Sequence, residues 1–104
     1  MTAAWGGVCS SDPLSISFSV QRTRYTHQAL FEKKECTISI PSAVHVKEAD
    51  YFGVSSGRDR DKFTDTGLTP VRAPSVNAPY VGEFPIVIEC KITKIVDVGV
   101  HDLF

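Results

Sequence analysis

A chain of 104 residues, 42% of them hydrophobic and with a formal net charge of -1, has the size and apolar content of one soluble domain or part of one. So even a balance of charge gives no electrostatic reason to expect nucleic acid or an anionic membrane as a partner. No apolar run is long enough to span a bilayer, and Met1 is followed by small residues, Trp5 and glycines rather than the basic and apolar segments of a signal peptide.

Along the chain, Thr2 to Val8 reads as a strand end or a loop packed closely on something, with Trp5 either core filler or a ligand contact. Cys9, Cys36 and Cys90 form no C-x-x-C pair, so no metal site is expected. The three read as buried free thiols in a reducing cytoplasm. Asp12-Pro13 signals a turn. Leu14, Ile16, Phe18 and Val20 then alternate with Ser15, Ser17 and Ser19. That is the pattern of a strand with one face in a core. Gln21 to Tyr25 is a polar connection carrying Arg22 and Arg24. Thr26 is placed to cap a helix over His27 to Lys34, with Ala29 and Leu30 inward and Glu32, Lys33 and Lys34 in solvent. Cys36 to Ile40 alternates again, and Pro41 ends it.

Ser42 to Phe52 predicts a second helix with Gly53 as its stop. A short helix follows near Asp59 to Thr64. Pro70, Pro74 and Pro79 make Thr69 to Tyr80 an extended surface connection. Pro85 to Val96 is a long strand whose apolar parity flips at Lys94-Ile95, which predicts a bulge or bend. After a turn at Asp97 to Val100, His101 to Phe104 opens a further strand whose edge is expected to lack a partner. His27 and His45 fall on helix surfaces and receive no role. The pattern is mainly β with short helices, and it fits a barrel or half-barrel with helical excursions.

One stretch points to chemistry: Ser55-Ser56-Gly57-Arg58-Asp59-Arg60-Asp61-Lys62-Phe63. Glycine permits close backbone approach, two hydroxyls can donate, and a helix starting here would add free amides. Lys62 would sit about one turn inside that helix and fold back toward the same point. A solvated, capped turn and an anion site both fit, and no Walker loop is present.

In their order and spacing these pieces resemble the flavoredoxin branch of the flavin reductase-like family, FMN-binding split β-barrels that work as homodimers. The resemblance rests on Thr2-Ala3-Ala4-Trp5, Ser11-Asp12-Pro13, Arg24-Tyr25-Thr26, Asp50-Tyr51 with Gly53, Ser56-Gly57-Arg58 followed by Asp61-Lys62-Phe63, and Gly67-Leu68-Thr69. Asn77-Ala78-Pro79, Glu89-Cys90 and Gly99 with His101-Asp102-Leu103-Phe104 complete it. Nearly all of residues 1–104 is covered, as a flavin reductase-like domain that resembles an interior fragment of its family, incomplete at both ends.

The resemblance implies FMN-dependent electron transfer, with NADH or NADPH as donor. It also admits a non-catalytic electron carrier between redox protein partners, or an inactive fragment. It implies that Trp5 lies near the flavin ring, that the backbone of Thr2, Ala3 and Ala4 bonds ring or ribityl atoms, and that Thr26 is a polar contact. It further implies that Ser56, Gly57 and Lys62 hold the phosphate. His101 lies beside the flavin in the family and is the candidate catalytic residue, with a structural histidine as the other reading.

Overall fold

The computed structural model describes residues 1–104. Its first two strands, β1 (Gly6–Ser11) and β2 (Leu14–Gln21), form an antiparallel hairpin about the Asp12-Pro13 turn. β1 was legible only as a strand end or loop because it opens on two glycines. The packing explains the first: a β-carbon on Gly6 would lie 2.8 Å from the Ser17 carbonyl oxygen and 2.9 Å from Phe18 Cβ. Pairing shifts between Val8 and Ser10, so Cys9 is the extra residue of a β-bulge. It is exposed, not buried as expected.

Helix α1 (Tyr25–Lys33) begins one residue before Thr26, and Arg24 is its N-cap without a side-chain bond. Thr26 is therefore inside the first turn and caps nothing. Leu30 faces the core as expected, whereas Ala29 is exposed. Strand β3 (Glu35–Ile40) leads through a 3₁₀ turn (Ala43–His45) to helix α2 (Val46–Val54), which runs through Gly53 and ends at Ser55. Helix α3 (Lys62–Thr66) starts later than predicted, because Asp61 is its N-cap and accepts from the Thr64 amide at 3.3 Å.

Thr69 to Val81 is not a plain extended connection. It forms a short hairpin of β4 (Pro70–Arg72) and β5 (Pro79–Val81), with Pro70 and Pro79 opening the strands and Pro74 in the loop between them. The polar face of the β3–β6 pair holds it down, where β6 spans Ile86–Lys91. Glu35 accepts from the Asn77 amide, Glu89 from the Ser75 amide and Ser39 Oγ from the Val81 amide.

The long strand predicted to Val96 ends at Lys91, so the parity flip at Lys94-Ile95 falls outside any strand. Beyond it, β7 (Val96–Asp97) joins a different sheet. There β8 (His101–Leu103) pairs with β2 on one side and β7 on the other, giving the order β1-β2-β8-β7. The expectation that this strand lacks a partner is thus corrected. Reciprocal backbone bonds between Phe18 and Phe104 add one more rung. The core lies between the sheets and α1: Val20, Leu30, Cys36 and Phe104 are buried together, with Phe18, Cys90, Ile92 and Ile95 against them. No helix is long and apolar enough to cross a membrane.

Candidate functional site

The Gly57–Phe63 stretch borders a cleft of about 560 Å³, together with Met1, Thr26 and Phe52. Its backbone is organised by Ser56. Ser56 Oγ accepts from the Arg58 amide at 3.2 Å, and the Ser56 carbonyl accepts from the Asp59 and Arg60 amides at 3.1 Å each. Those three amides are occupied by the turn and are not free for an anion. Ser56 shapes the turn and does not line the cleft.

Gly57 does line it, and for a reason the sequence did not disclose: a β-carbon there would lie 2.7 Å from Tyr25 Cδ1. The turn packs on the Tyr25 ring, with the Arg58 guanidinium 5.7 Å from the ring centroid and its Nη1 donating to the Thr23 carbonyl at 3.1 Å. This contact seats the turn against the start of α1 and brings Thr26 to the same cleft.

Lys62 is the first residue of α3 and half-buried. Its Nζ donates to the Phe52 carbonyl at 2.8 Å, near the end of α2. Phe52 and Phe63 meet edge-on at 5.5 Å, and the Tyr51 hydroxyl donates to Asp65, so α2 and α3 are tied on both sides. No carboxylate lies within ion-pair distance of Lys62. Burial pushes its ammonium below the ordinary lysine range, and the nearby charge of Arg24 adds to that. Arg58 and Arg60 also border the cleft, and so do Asp59 and Asp61. A half-buried cation with donors to spare, crowded by further positive charge, is a place where an anion lowers the free energy.

A second cluster lies where β1, β2 and β8 meet. Trp5 is 64% exposed, which removes the core-filler reading, and its ring centroid is 5.1 Å from that of His101. The Trp5 carbonyl accepts from the Ser19 amide at 3.0 Å, and His101 stands opposite Gln21 in the β2–β8 ladder. Thr2 to Ala4 run between the two clusters. The Thr2 hydroxyl donates to the Ala49 carbonyl of α2, and Ala3 and Ala4 are exposed. From Met1 in the cleft to Trp5 the backbone reaches at most about 14 Å.

Of the residues singled out from sequence, Thr26, Gly57 and Lys62 thus share one cleft, and Trp5 and His101 share another place. Thr2, Ala3 and Ala4 string the two together. Arg58 and Arg60 were passed over as lining residues, although both stand in the stretch itself.

The sequence reading also missed a buried ionic network. Asp102, adjacent to His101 but on the opposite face of β8, is 6% exposed. Arg22 grips it through Nε at 3.1 Å and Nη2 at 2.7 Å, and His27 Nε2 is 2.8 Å from Oδ2. Arg22 Nη2 also reaches Asp97 at 2.7 Å. The bonds to Arg22 and then His27 hold the Asp102 carboxyl down to about 2, and the bonds to Asp102 and then Asp97 raise Arg22 above its usual range. His27 is no surface residue: its ring is 5.5 Å from Phe104. An aspartate at a paired strand position, where that residue is disfavoured, was the available signal. The network fastens the start of α1, and with it Thr26, to the strand that carries His101. No group of three or more His, Cys, Asp or Glu residues is arranged to hold a metal.

Residues 1–104 match the family described as flavin reductase like domain. An uncharacterized protein of Archaeoglobus fulgidus is 31% identical over 104 residues, which span all of this chain and 59% of that protein. A Pyrococcus abyssi protein, also uncharacterized, is 32% identical over the same length and share. Flavoredoxin of Desulfovibrio vulgaris (Miyazaki F) superposes with a TM-score of 0.91 at 46% identity, covering 97% of this chain and 55% of that one. An FMN-binding protein from Thermus thermophilus superposes with a TM-score of 0.88 at 24% identity, covering 98% and 55%, a likeness of fold. The chain spans about half the length of the relatives it matches.

Proposed function

We propose, from the premise that this chain belongs to the flavin reductase-like family and has its mainly β split-barrel fold, that it binds FMN and serves electron transfer fed by NADH or NADPH. The observation that carries this reading is Lys62, a half-buried ammonium at a cleft that Asp59 and Asp61 also border, with no carboxylate within ion-pair distance of it. The residues fit a flavin mononucleotide end to end. Lys62, with Arg58 and Arg60 beside it, meets the charge of a phosphate. Thr26 offers a hydroxyl at the same cleft. Backbone groups of Thr2 to Ala4 are open to polar atoms of the ribityl chain or ring, and the exposed Trp5 indole is a flat apolar surface for the ring itself.

When bound, FMN supplies the redox chemistry. The protein binds it, orients it and limits water around it. His101 sits under Trp5 at the end where the ring would lie, so its imidazole can hydrogen-bond an incoming donor or move a proton at that edge. Asp102, Arg22 and His27 keep His101 and Thr26 at a fixed separation. The experiment is anaerobic titration of the FMN-loaded protein with NADH and with NADPH, followed by loss of flavin absorbance. Rapid bleaching by either donor supports the proposal. Bound FMN that neither donor reduces would leave binding and remove the nicotinamide-linked activity.

A further inference from the structure

We propose that Cys36 and Cys90 form a dithiol–disulfide site, in which the two facing thiols are oxidised to one intrachain disulfide by a small-molecule disulfide. They are far apart in sequence but directly opposite in the β3–β6 ladder. The Ile92 amide donates to the Lys34 carbonyl, which makes Lys34 and Ile92 a hydrogen-bonded pair. Two residues further along each strand, Cys36 and Cys90 are a pair of the same kind, for which Cα atoms lie about 5.5 Å apart. A disulfide spans about 4.4–6.8 Å between Cα atoms, so the bond forms without separating the strands. Both side chains leave the same face of the sheet, because opposed residues share a face.

The surroundings assign the order of events. Cys36 is buried in the core cluster with Val20, Leu30 and Phe104, whereas Cys90 is half-buried at its margin. Cys90 Sγ donates to the Ile88 carbonyl at 3.8 Å. Burial pushes both thiols up, and the more deeply buried Cys36 reaches about 12. Cys90, the more accessible of the two, is therefore the entering nucleophile. Its thiolate attacks one sulfur of the oxidant, forming a mixed disulfide and releasing the first small thiol. Cys36 then gives up its proton and attacks the Cys90 sulfur, forming the Cys36–Cys90 bond and releasing the second. Two protein thiols lose two protons and two electrons, and the oxidant gains both as two thiols. Cys9 takes no part, since it sits exposed on a bulge of the other sheet. The product would clamp β3 to β6 across a long loop and restrict the unfolded chain.

The test uses Cys9→Ser protein incubated under native conditions with glutathione disulfide, then quenched by alkylation and mapped by mass spectrometry. The expected result is loss of two hydrogens, with the Cys36 and Cys90 peptides joined, a higher melting temperature, and reversal by dithiothreitol. In Cys36→Ser protein the reaction should stop at a stable glutathione adduct on Cys90. If that variant does not fold, the Cys9→Ser result decides alone. Both cysteines remaining alkylatable, or a glutathione adduct persisting on Cys90 while Cys36 is intact, overturns the proposal.

Discussion

Replacing Lys62 by alanine removes the half-buried lysine ammonium of the cleft. The ammonium has three donors, of which one goes to the Phe52 carbonyl. The remainder are free for a phosphate carrying up to two negative charges. A hydrogen bond to a charged group contributes about 1.5–3 kcal/mol net, which is roughly a ten- to hundredfold change in Kd. Lys62 is partly open to solvent, so the lower part of that range is expected at physiological salt. The substitution also deletes the bond to Phe52, which costs about 1 kcal/mol of stability and loosens α2 against α3. Riboflavin separates the two effects, because it has the ring and ribityl chain but no phosphate. Fluorescence titration with each flavin at fixed salt should show FMN weakened and riboflavin nearly unchanged. Equal weakening of both refutes a phosphate contact in favour of general damage. No weakening of either returns the stretch to a solvated turn.

FMN affinity should fall as pH rises through the Lys62 pKa, and earlier than an ordinary lysine allows, because burial lowers that pKa; calorimetric titrations at several alkaline pH values check this, and a flat profile contradicts it. His101→Ala should slow NAD(P)H-dependent reduction with FMN still bound, as read by stopped flow beside a melting curve; a lower melting temperature with the rate per bound flavin unchanged would mark His101 as structural. Gly57→Ala should cost roughly 1–3 kcal/mol by overpacking the Tyr25 ring, and Tyr25→Ala should relieve most of that in a double-mutant denaturation cycle. The Asp102 carboxyl titrates at about 2 when folded and about 3.9 when unfolded. Its stabilisation is therefore complete above about pH 4 and drains away as pH falls toward 2, so the melting temperatures of wild type and Asp102→Asn should converge over that window and stay apart above it.

The residues that alternate strictly announced their strands: Leu14 to Val20 and Cys36 to Ile40 lie where the pattern put them, to within a residue. What failed was local signal overridden by packing. Gly6 looks like loop until Phe18 is seen against it, and the prolines of Thr69 to Tyr80 hid a hairpin that Glu35, Ser39 and Glu89 pin from outside the segment. Gly57 and Lys62 were legible as a candidate site from the chemistry of their own stretch, whereas Thr26 read as a helix cap and joined them only through the family resemblance. The Arg22–Asp102–His27 network and the Cys36–Cys90 pair were not, since each joins residues far apart in sequence and only the folded ladders bring them together.

Trp5 is the only tryptophan of the chain, and the account places it against the flavin ring at one end of a site whose other end is Lys62. Its intrinsic fluorescence therefore reports directly on the central claim. Titration with FMN should quench the emission saturably and reach its end at one equivalent per chain, with the quench retained but shifted to higher concentration in Lys62→Ala. Emission that stays unchanged while FMN binds by an independent measure, or that declines only linearly with added FMN, would contradict the account.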